Sequence, residues 1–515
     1  MIACYTDVLS AFPGEAVTLF ASSSDPACRL QIARVGAGRE IVASLDISGV
    51  ADTPTPAHAD RDGCGWPKAG EITVGADWKS GYYDLQLTNA AGEATHHMLV
   101  VKPSKDGPRR DGPRAKLALV LSTNTYHAYN WWGGANSYCD VTALMARELT
   151  LAEGMARAIG VLSTQRPFAQ NVIAMAPDGP RLMNDGTRGF RERPHTDKPA
   201  FWREHALSPY DGAAGFLNKW EHHFVAWAED EGIELDYFTD YDLEADPDVL
   251  APYAAMLAVG HSEYWSDGQR GQVERFVDGG GRLAIFSGNT CYWKVRWENG
   301  GRTLIAHKWK GFEAEPDAGA NGTHVWSHPA FDRPEASLTG LSFIFGGYHR
   351  LGLCVARGSG AFTIYDDKHW ALEGADLFYG DSLGLDVPLL AYENDGCLLA
   401  WGEDGLPKAV PHLGVPAHLE IIGIAPCSYG EDPDKGYRPV LPPEDFAQAA
   451  QIAFGDASAA AQQRVRRGHA VMASFKRGAG EVFNCGTTEW AYGLKAGDPY
   501  IAAITRNVLR RFGAG

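Results

Sequence analysis

Ala255-Met256-Leu257-Ala258-Val259-Gly260-His261-Ser262-Glu263-Tyr264-Trp265 is the stretch on which the fold turns. Five apolar residues in a row, without polar alternation, mark a strand covered on both faces, as in a parallel sheet. The chain then breaks at once into a polar and aromatic cluster. Residues 269–277 have helical spacing, Gly279-Gly280-Gly281 ends that helix, and Arg282-Leu283-Ala284-Ile285-Phe286 is a second buried strand. Similar units lie on either side. Residues 116–121 (KLALVL) read as a strand, 222–232 as a helix, 233–237 as a strand and 247–253 as a helix-like stretch. Residues 469–475, 481–484 and a closing helix over 499–512 continue the pattern. Strands alternating with helices predict an α/β fold, a parallel sheet of the flavodoxin or class I glutamine amidotransferase type.

Residues 1–103 have another rhythm. Short apolar segments at 16–21, 29–34, 71–74, 81–87 and 97–101 are separated by Pro, Gly, Asp and Ser. That spacing predicts an N-terminal β-sandwich. The run Pro103-Ser104-Lys105-Asp106-Gly107-Pro108-Arg109-Arg110-Asp111-Gly112-Pro113 places a linker at 104–114, hence a separable module and an α/β domain over 115–515. Between residues 300 and 440, LSFIF, AFTIY, VPLLAY and HLEIIGIA suggest a β-rich insertion beside the sheet. Residues 163–215 read as a long loop.

Length and composition bound the function. The 515 residues suffice for two to four domains, and 46 basic against 64 acidic residues leave a net charge of −18. A field of that sign disfavours nucleic acid and anionic membranes as partners. There is no apolar run long enough to span a bilayer and no basic, apolar leader at Met1, so a cytoplasmic protein is expected. The nine cysteines form no C-x-x-C pair, which fits reduced thiols. Fifteen Trp, 20 Tyr and 21 Phe are a heavy aromatic load, and several stand beside polar residues.

In an open parallel sheet ligands sit beyond the carboxyl ends of the strands. Four such ends carry polar and aromatic residues: 125–134 (TYHAYNWWGG), 260–265 (GHSEYW), 287–293 (SGNTCYW) and 485–490 (CGTTEW). Each residue has a plainer reading by itself. Glu263 could be a helix cap or surface charge, His261 a structural histidine, Asn289 a cap, and the rings packing. Convergence on one rim is what argues for a site. G-x-S-x-G, H-E-x-x-H and P-loop patterns are absent, and Ser262 and Glu263 occupy the turn where a glutaminase cysteine would stand. What remains is a set of Glu, Tyr, His and Asn, donors suited to a Lewis-acid metal such as iron.

Those strand ends resemble the large subunit of the N,N-dimethylformamidase family. The resemblance is carried by T125-Y-H-A-Y-N-W-W-G-G134, T239-D-Y-D-L243, V259-G-H-S-E-Y-W-S266, G279-G-G-R-L-A-I-F-S-G-N-T-C-Y-W-K-V-R296 and G486-T-T-E-W-A-Y-G-L494. It implies hydrolysis of an amide to amine and carboxylate at one ferric ion held by two tyrosinates and a glutamate. Glu263 matches the carboxylate ligand, and His261 the histidine two positions before it. Tyr129 matches the first tyrosine, with Tyr126 competing. Asn289 and Lys308 match residues that line the substrate pocket, and Glu393 a further catalytic carboxylate. The family's concanavalin-like middle domain has only the short linker in its place.

The second tyrosine of the family is expected in an Arg-Pro-Tyr element, where this chain has Gln165-Arg166-Pro167-Phe168. Phenylalanine cannot ligate a metal, which leaves Tyr138 or His195 as substitutes, and zinc or no metal as alternatives to iron. The implied partners are a small neutral amide, further copies of the chain, and a small accessory subunit. The competing reading is an inert small-molecule or carbohydrate-binding protein, whose aromatic rim stacks on its ligand.

Overall fold

The computed structural model describes residues 2–104, 117–146, 148–149, 151–174, 213–349, 360–387, 389–390, 392–430 and 443–514. His195 and most of the 104–114 and 163–215 stretches lie outside the described residues.

A nine-stranded sheet organises the chain. Its parallel part runs Leu235–Thr239, Leu117–Leu121, Ala255–His261, Arg282–Gly288, Gly480–Asn484 across the sheet. In chain order that is 2-1-3-4-5, the order of one common doubly wound arrangement. The apolar runs split by parity between two cores, as a period of two requires. Leu117, Leu119 and Leu121 face a cluster with Phe224, Val225 and Ala228 of helix Trp220–Asp230 and Val508 of helix Pro499–Leu509. Ala118 and Val120 face another, with Val273 and Val277 of helix Asp267–Asp278.

Three sequence expectations need correction. Residues 300–440 do not stand only beside the sheet: Glu420–Cys427, Phe362–Ile364 and Ser382–Leu383 extend it antiparallel. The cause is the pair Gly468–Arg477 and Gly480–Asn484, a tight hairpin through Gly478 and Ala479. With no helical crossover between them, the chain direction reverses, and later strands pair along the new edge. Residues 247–252 form turns, and the helix is Asp240–Ala245 instead of 247–253. Thr239, at the strand end, caps it reciprocally with Asp242, and Asp246 before Pro247 is extended. Glu263, whose plainer reading is a helix cap or surface charge, is buried, at 2% exposure.

The N-terminal residues form a three-stranded sheet (Ile2–Thr6, Ala16–Ser23, Lys68–Thr73) and a five-stranded one (Ser10–Ala11, Ala94–Val101, Gly81–Asn89, Ala27–Val35, Arg39–Ser48). Leu19, Val17, Leu30, Leu85 and Leu99 share one core between them. Residues on the opposite face, Val35, Tyr82, Met98 and Val100, belong to the same core as the main sheet. Tyr82 stacks on Phe216 with ring centroids 4.0 Å apart, and Arg34 pairs with Glu229 at 2.6 Å. Each such apolar side chain contributes about 1.5–3 kcal/mol when buried. Deleting residues 1–103 is therefore expected to drive the remaining chain into aggregates, which size-exclusion chromatography of the soluble fraction would reveal. Among the described residues no helix is long and apolar enough to cross a membrane.

Candidate active site at the strand ends

Strand Ala255–His261 delivers His261 to the rim through Gly260, whose φ of +76° favours glycine and whose added Cβ would lie 2.7 Å from Trp220. His261 Nδ1 donates to the Ala213 carbonyl at 2.8 Å. That bond turns Nε2 toward two carboxylates, Glu393 at 2.5 Å and Glu263 at 3.3 Å. Asn289 follows strand Arg282–Gly288 with φ +50° and donates from Nδ2 to Glu393 at 3.2 Å. The Glu393 carbonyl in turn accepts from Thr488 N–H at 3.1 Å, so the GTTEW segment anchors it. Three strand ends thus hold one acid–imidazole group.

Glu263 is the centre of the rest. Its Oε1 accepts from the Trp293 indole and from the Tyr138 hydroxyl, both at 2.7 Å. Its Oε2 accepts from the Tyr129 hydroxyl at 3.1 Å, and its backbone N–H donates to Thr125 Oγ1 at 3.1 Å. The hydroxyls of Tyr129 and Tyr138 lie 3.1 Å apart, and Tyr129 also meets Tyr392 at 3.1 Å. Tyr264 donates to Tyr138 at 2.7 Å. Lys308, held at φ +56°, sets its ammonium 3.1 Å from the centre of the Tyr138 ring.

Burial dominates the electrostatics, and the neighbours modify it. Desolvation pushes Glu263 up to about 7 against the pull of His261. Burial and then the Glu263 charge hold Tyr129 and Tyr138 well above the usual phenol range. Desolvation alone would lower His261, but Glu393 and Glu263 outweigh it and raise it to about 9. Burial brings Lys308 down to about 7 despite Glu263.

This donor chemistry fits a hard cation. Ligand atoms of His261, Glu263 and Glu393 all lie within 4.8 Å of one another in a buried setting. The oxygens of Tyr129, Tyr138 and Glu263 meet beside them, and a buried phenol ionises only when a positive charge compensates it. Asn289 Oδ1 is buried without a hydrogen-bond partner among the described residues, an acceptor left for a bound molecule.

Tyr129, His261, Glu263, Asn289, Lys308 and Glu393 therefore lie together. Two expectations fall away. Tyr126 donates to Glu221 instead, and Phe168 stacks on His97 and His127 with centroids 5.6 and 5.2 Å away. Tyr138, and not residue 168, brings its hydroxyl to Glu263 beside Tyr129. Sequence reasoning singled out no role for Trp293, Tyr264 and Tyr392. Trp293 and Tyr264 lie in the quoted CYW and EYW motifs, which were the available signal.

Phenols, carboxylates and an imidazole thus meet in a buried nest beyond the carboxyl ends of a parallel sheet, the place where such sheets hold ligands. Residues 29–503 match the family described as N,N-dimethylformamidase beta subunit-like, C-terminal, and the chain belongs to that family. The N,N-dimethylformamidase beta subunit of Paracoccus aminophilus is 26% identical over 246 residues, covering 46% of this chain. The matched part spans 29% of that subunit's length.

Proposed function

We propose that this protein is a metal-dependent amidohydrolase that cleaves the C–N bond of a small, uncharged amide to an amine and a carboxylate. Membership of the family supports amide hydrolysis. The observation that carries the reading is the meeting of the Tyr129 and Tyr138 hydroxyls at the Glu263 carboxylate. These three residues would hold the metal, with ferric iron as the hard ion that suits two phenolates and a carboxylate. Such an ion, when bound, would supply Lewis acidity toward the amide carbonyl and lower the pKa of water.

The remaining residues handle protons and charge. Because Nδ1 of His261 is committed to Ala213, Nε2 is the atom that exchanges protons. Raised to about 9, the imidazole carries its Nε2 proton near neutral pH and gives it to the departing nitrogen, while the Glu393 carboxylate against it takes the proton of the attacking water and returns it to Nε2. Water thus adds OH to the carbonyl carbon, the C–N bond breaks, and the amine leaves with the transferred proton. The Asn289 amide stands by Glu393 to donate to the developing oxyanion or orient the substrate. Trp293 fixes the Glu263 rotamer, and the rings of Tyr392, Tyr264 and Trp220 favour an uncharged substrate.

The 2-1-3-4-5 strand order supports a flavodoxin or glutamine amidotransferase type of sheet, and the shared core of the two N-terminal sheets supports a β-sandwich. The relative's description as a beta subunit supports further copies or an accessory chain as partners. Purified protein should contain about one iron per chain by mass spectrometry and release amine from N-alkylated formamides, with loss of both on chelation. Protein free of any metal yet hydrolytically active would overturn the reading.

A further inference from the structure

Phe362–Ile364 and Ser382–Leu383 are the outermost strands of the nine-stranded sheet on its antiparallel side. Three reversals separate Phe362–Ile364 from the parallel strand Gly480–Asn484, so its end at Ile364 lies on the side opposite the catalytic rim. Tyr365 follows there. Its ring meets Tyr379 at 5.7 Å and Trp401 at 5.5 Å, with interplanar angles of 88° and 60°. Trp401 comes from a separate hairpin, Leu399–Trp401 with Pro407–Ala409. Phe378, Tyr379 and Trp401 are 58%, 61% and 60% exposed. Given roughly 200 Å² per aromatic side chain, the three leave about 360 Å² of ring surface in water. A patch of that size on a soluble protein is often functional. Large apolar side chains are seldom left out elsewhere: of the seven that are exposed among the described residues, these three and Leu385 belong to this edge.

The rim of this patch is acidic. Asp366 and Asp367 follow Tyr365, Asp376 and Asp381 flank the Phe378-Tyr379 pair, and Glu403 and Asp404 follow Trp401. Lys368 compensates Asp367 at 3.0 Å, and Lys408 compensates Asp404 at 2.8 Å. The other four carboxylates have no cationic partner among the described residues. Asp366 and Asp381 accept from the backbone N–H groups of Lys368 and Phe378, bonds that orient them without neutralising them. Rings set at steep angles turn several faces toward one guest, and their quadrupoles attract a cation as the carboxylates do. A guanidinium fits best, being planar, weakly hydrated and able to stack while it donates to a carboxylate. A second copy of the chain fits poorly. The net charge is −18, and across a two-fold axis this rim would set carboxylates against carboxylates. The ring area is also less than half of the roughly 800 Å² that each partner buries in a standard interface.

We propose that this edge of the sheet docks a basic segment of a partner polypeptide, whose arginines stack on Tyr379 and Trp401 and pair with the acidic rim. The narrow, charged platform suits an extended segment better than a broad, flat protein face. It lies away from the catalytic cluster, so the inference does not depend on the reaction proposed there.

Fluorescence anisotropy of the full chain with a fluorescein-labelled octapeptide of alternating Arg and Gly tests it. Tyr379→Ser with Trp401→Ser keeps the net charge and is expected to weaken binding at least about tenfold, as loss of central aromatic contacts does. Asp376→Asn with Glu403→Gln should weaken it severalfold and flatten its dependence on salt. The same peptide with Lys for Arg should bind less tightly. All four substituted side chains are exposed, so the melting curves of both variants should overlay that of the wild type. Binding that survives the loss of both rings would overturn the proposal, because the peptide would then be reading only the overall negative charge. Failure of the wild type to bind would overturn it as well. A dimer in sedimentation equilibrium that Tyr379→Ser with Trp401→Ser dissolves would assign the patch to a second copy instead. Equal binding of the Arg and Lys peptides would overturn the choice of arginine.

Discussion

Glu263→Gln is expected to empty the site of metal and abolish amide hydrolysis, with a loss on the order of a thousandfold or more, the scale seen when one member of a catalytic unit is removed. Glu263 receives three hydrogen bonds, from Trp293, Tyr138 and Tyr129. An isosteric amide keeps one oxygen acceptor but replaces the other with an NH₂ group facing a donor, and it removes the negative charge that a cation requires. The fold should tolerate the change. Burial already pushes the Glu263 carboxyl up to about 7, so without a cation its ionised form is a burden on the folded chain, and a neutral amide lifts that burden above pH 7. The lost hydrogen bonds and the relieved charge work in opposite directions, and the melting temperature of metal-free protein should move by less than about 4 °C. Metal content measured beside circular dichroism decides the matter: equal metal in wild type and variant would sink the assignment of Glu263 as a ligand.

Some of this was legible in the sequence, and the reasons differ by residue. The central strands announce themselves because both faces of Leu117–Leu121 and Ala255–His261 are covered, so no polar residue interrupts them. Glu263 and His261 could be ranked because a strand end is a fixed place in such a sheet. The antiparallel extension could not be read, since Phe362–Ile364 has three residues and Ser382–Leu383 two, too few to show any period. The helix at Asp240–Ala245 was hidden by its own cap: Thr239-Asp240-Tyr241-Asp242 looks like a strand-end loop until Thr239 and Asp242 are seen bonding each other. The burial of Glu263 depends on side chains from distant segments, Trp293 and Tyr138, that meet only in the fold.

The support of the site is likewise non-local. The loop after Tyr129 is gripped by Arg166, whose guanidinium donates to the carbonyls of Trp132 and Asn130. Asp60 of the N-terminal module accepts from Ala135 N–H at 2.8 Å. The module thus helps to set the path of the segment that carries Tyr138, which ties its expected indispensability to the site as well as to the core.

Tyr138→Phe, compared with Phe168→Tyr, is expected to decide where the second phenolate comes from. The family pattern puts that tyrosine at the position of Phe168, yet the Phe168 ring packs on His97 and His127. Tyr138 reaches Glu263 because of its loop. Asn136 accepts from the backbone N–H groups of Tyr138 and Cys139 and donates to the Tyr129 carbonyl, folding the chain so that the two tyrosine rings lie 4.7 Å apart. Removing the Tyr138 hydroxyl leaves the ring in place and takes away one oxygen donor. A phenolate-to-ferric charge-transfer band should therefore weaken sharply, and iron affinity should fall by more than the 10- to 100-fold, roughly, that outer partners of a metal site control. Phe168→Tyr adds a hydroxyl beside two buried imidazoles and should leave colour and iron content unchanged, its effect confined to stability at about 1–3 kcal/mol if the new group finds no partner. The double variant should look like Tyr138→Phe alone. Colour left intact by Tyr138→Phe would make Tyr138 a hydrogen-bond partner of Glu263 and nothing more, and colour restored by Phe168→Tyr in that background would mean that residue 168 can reach the ion after all.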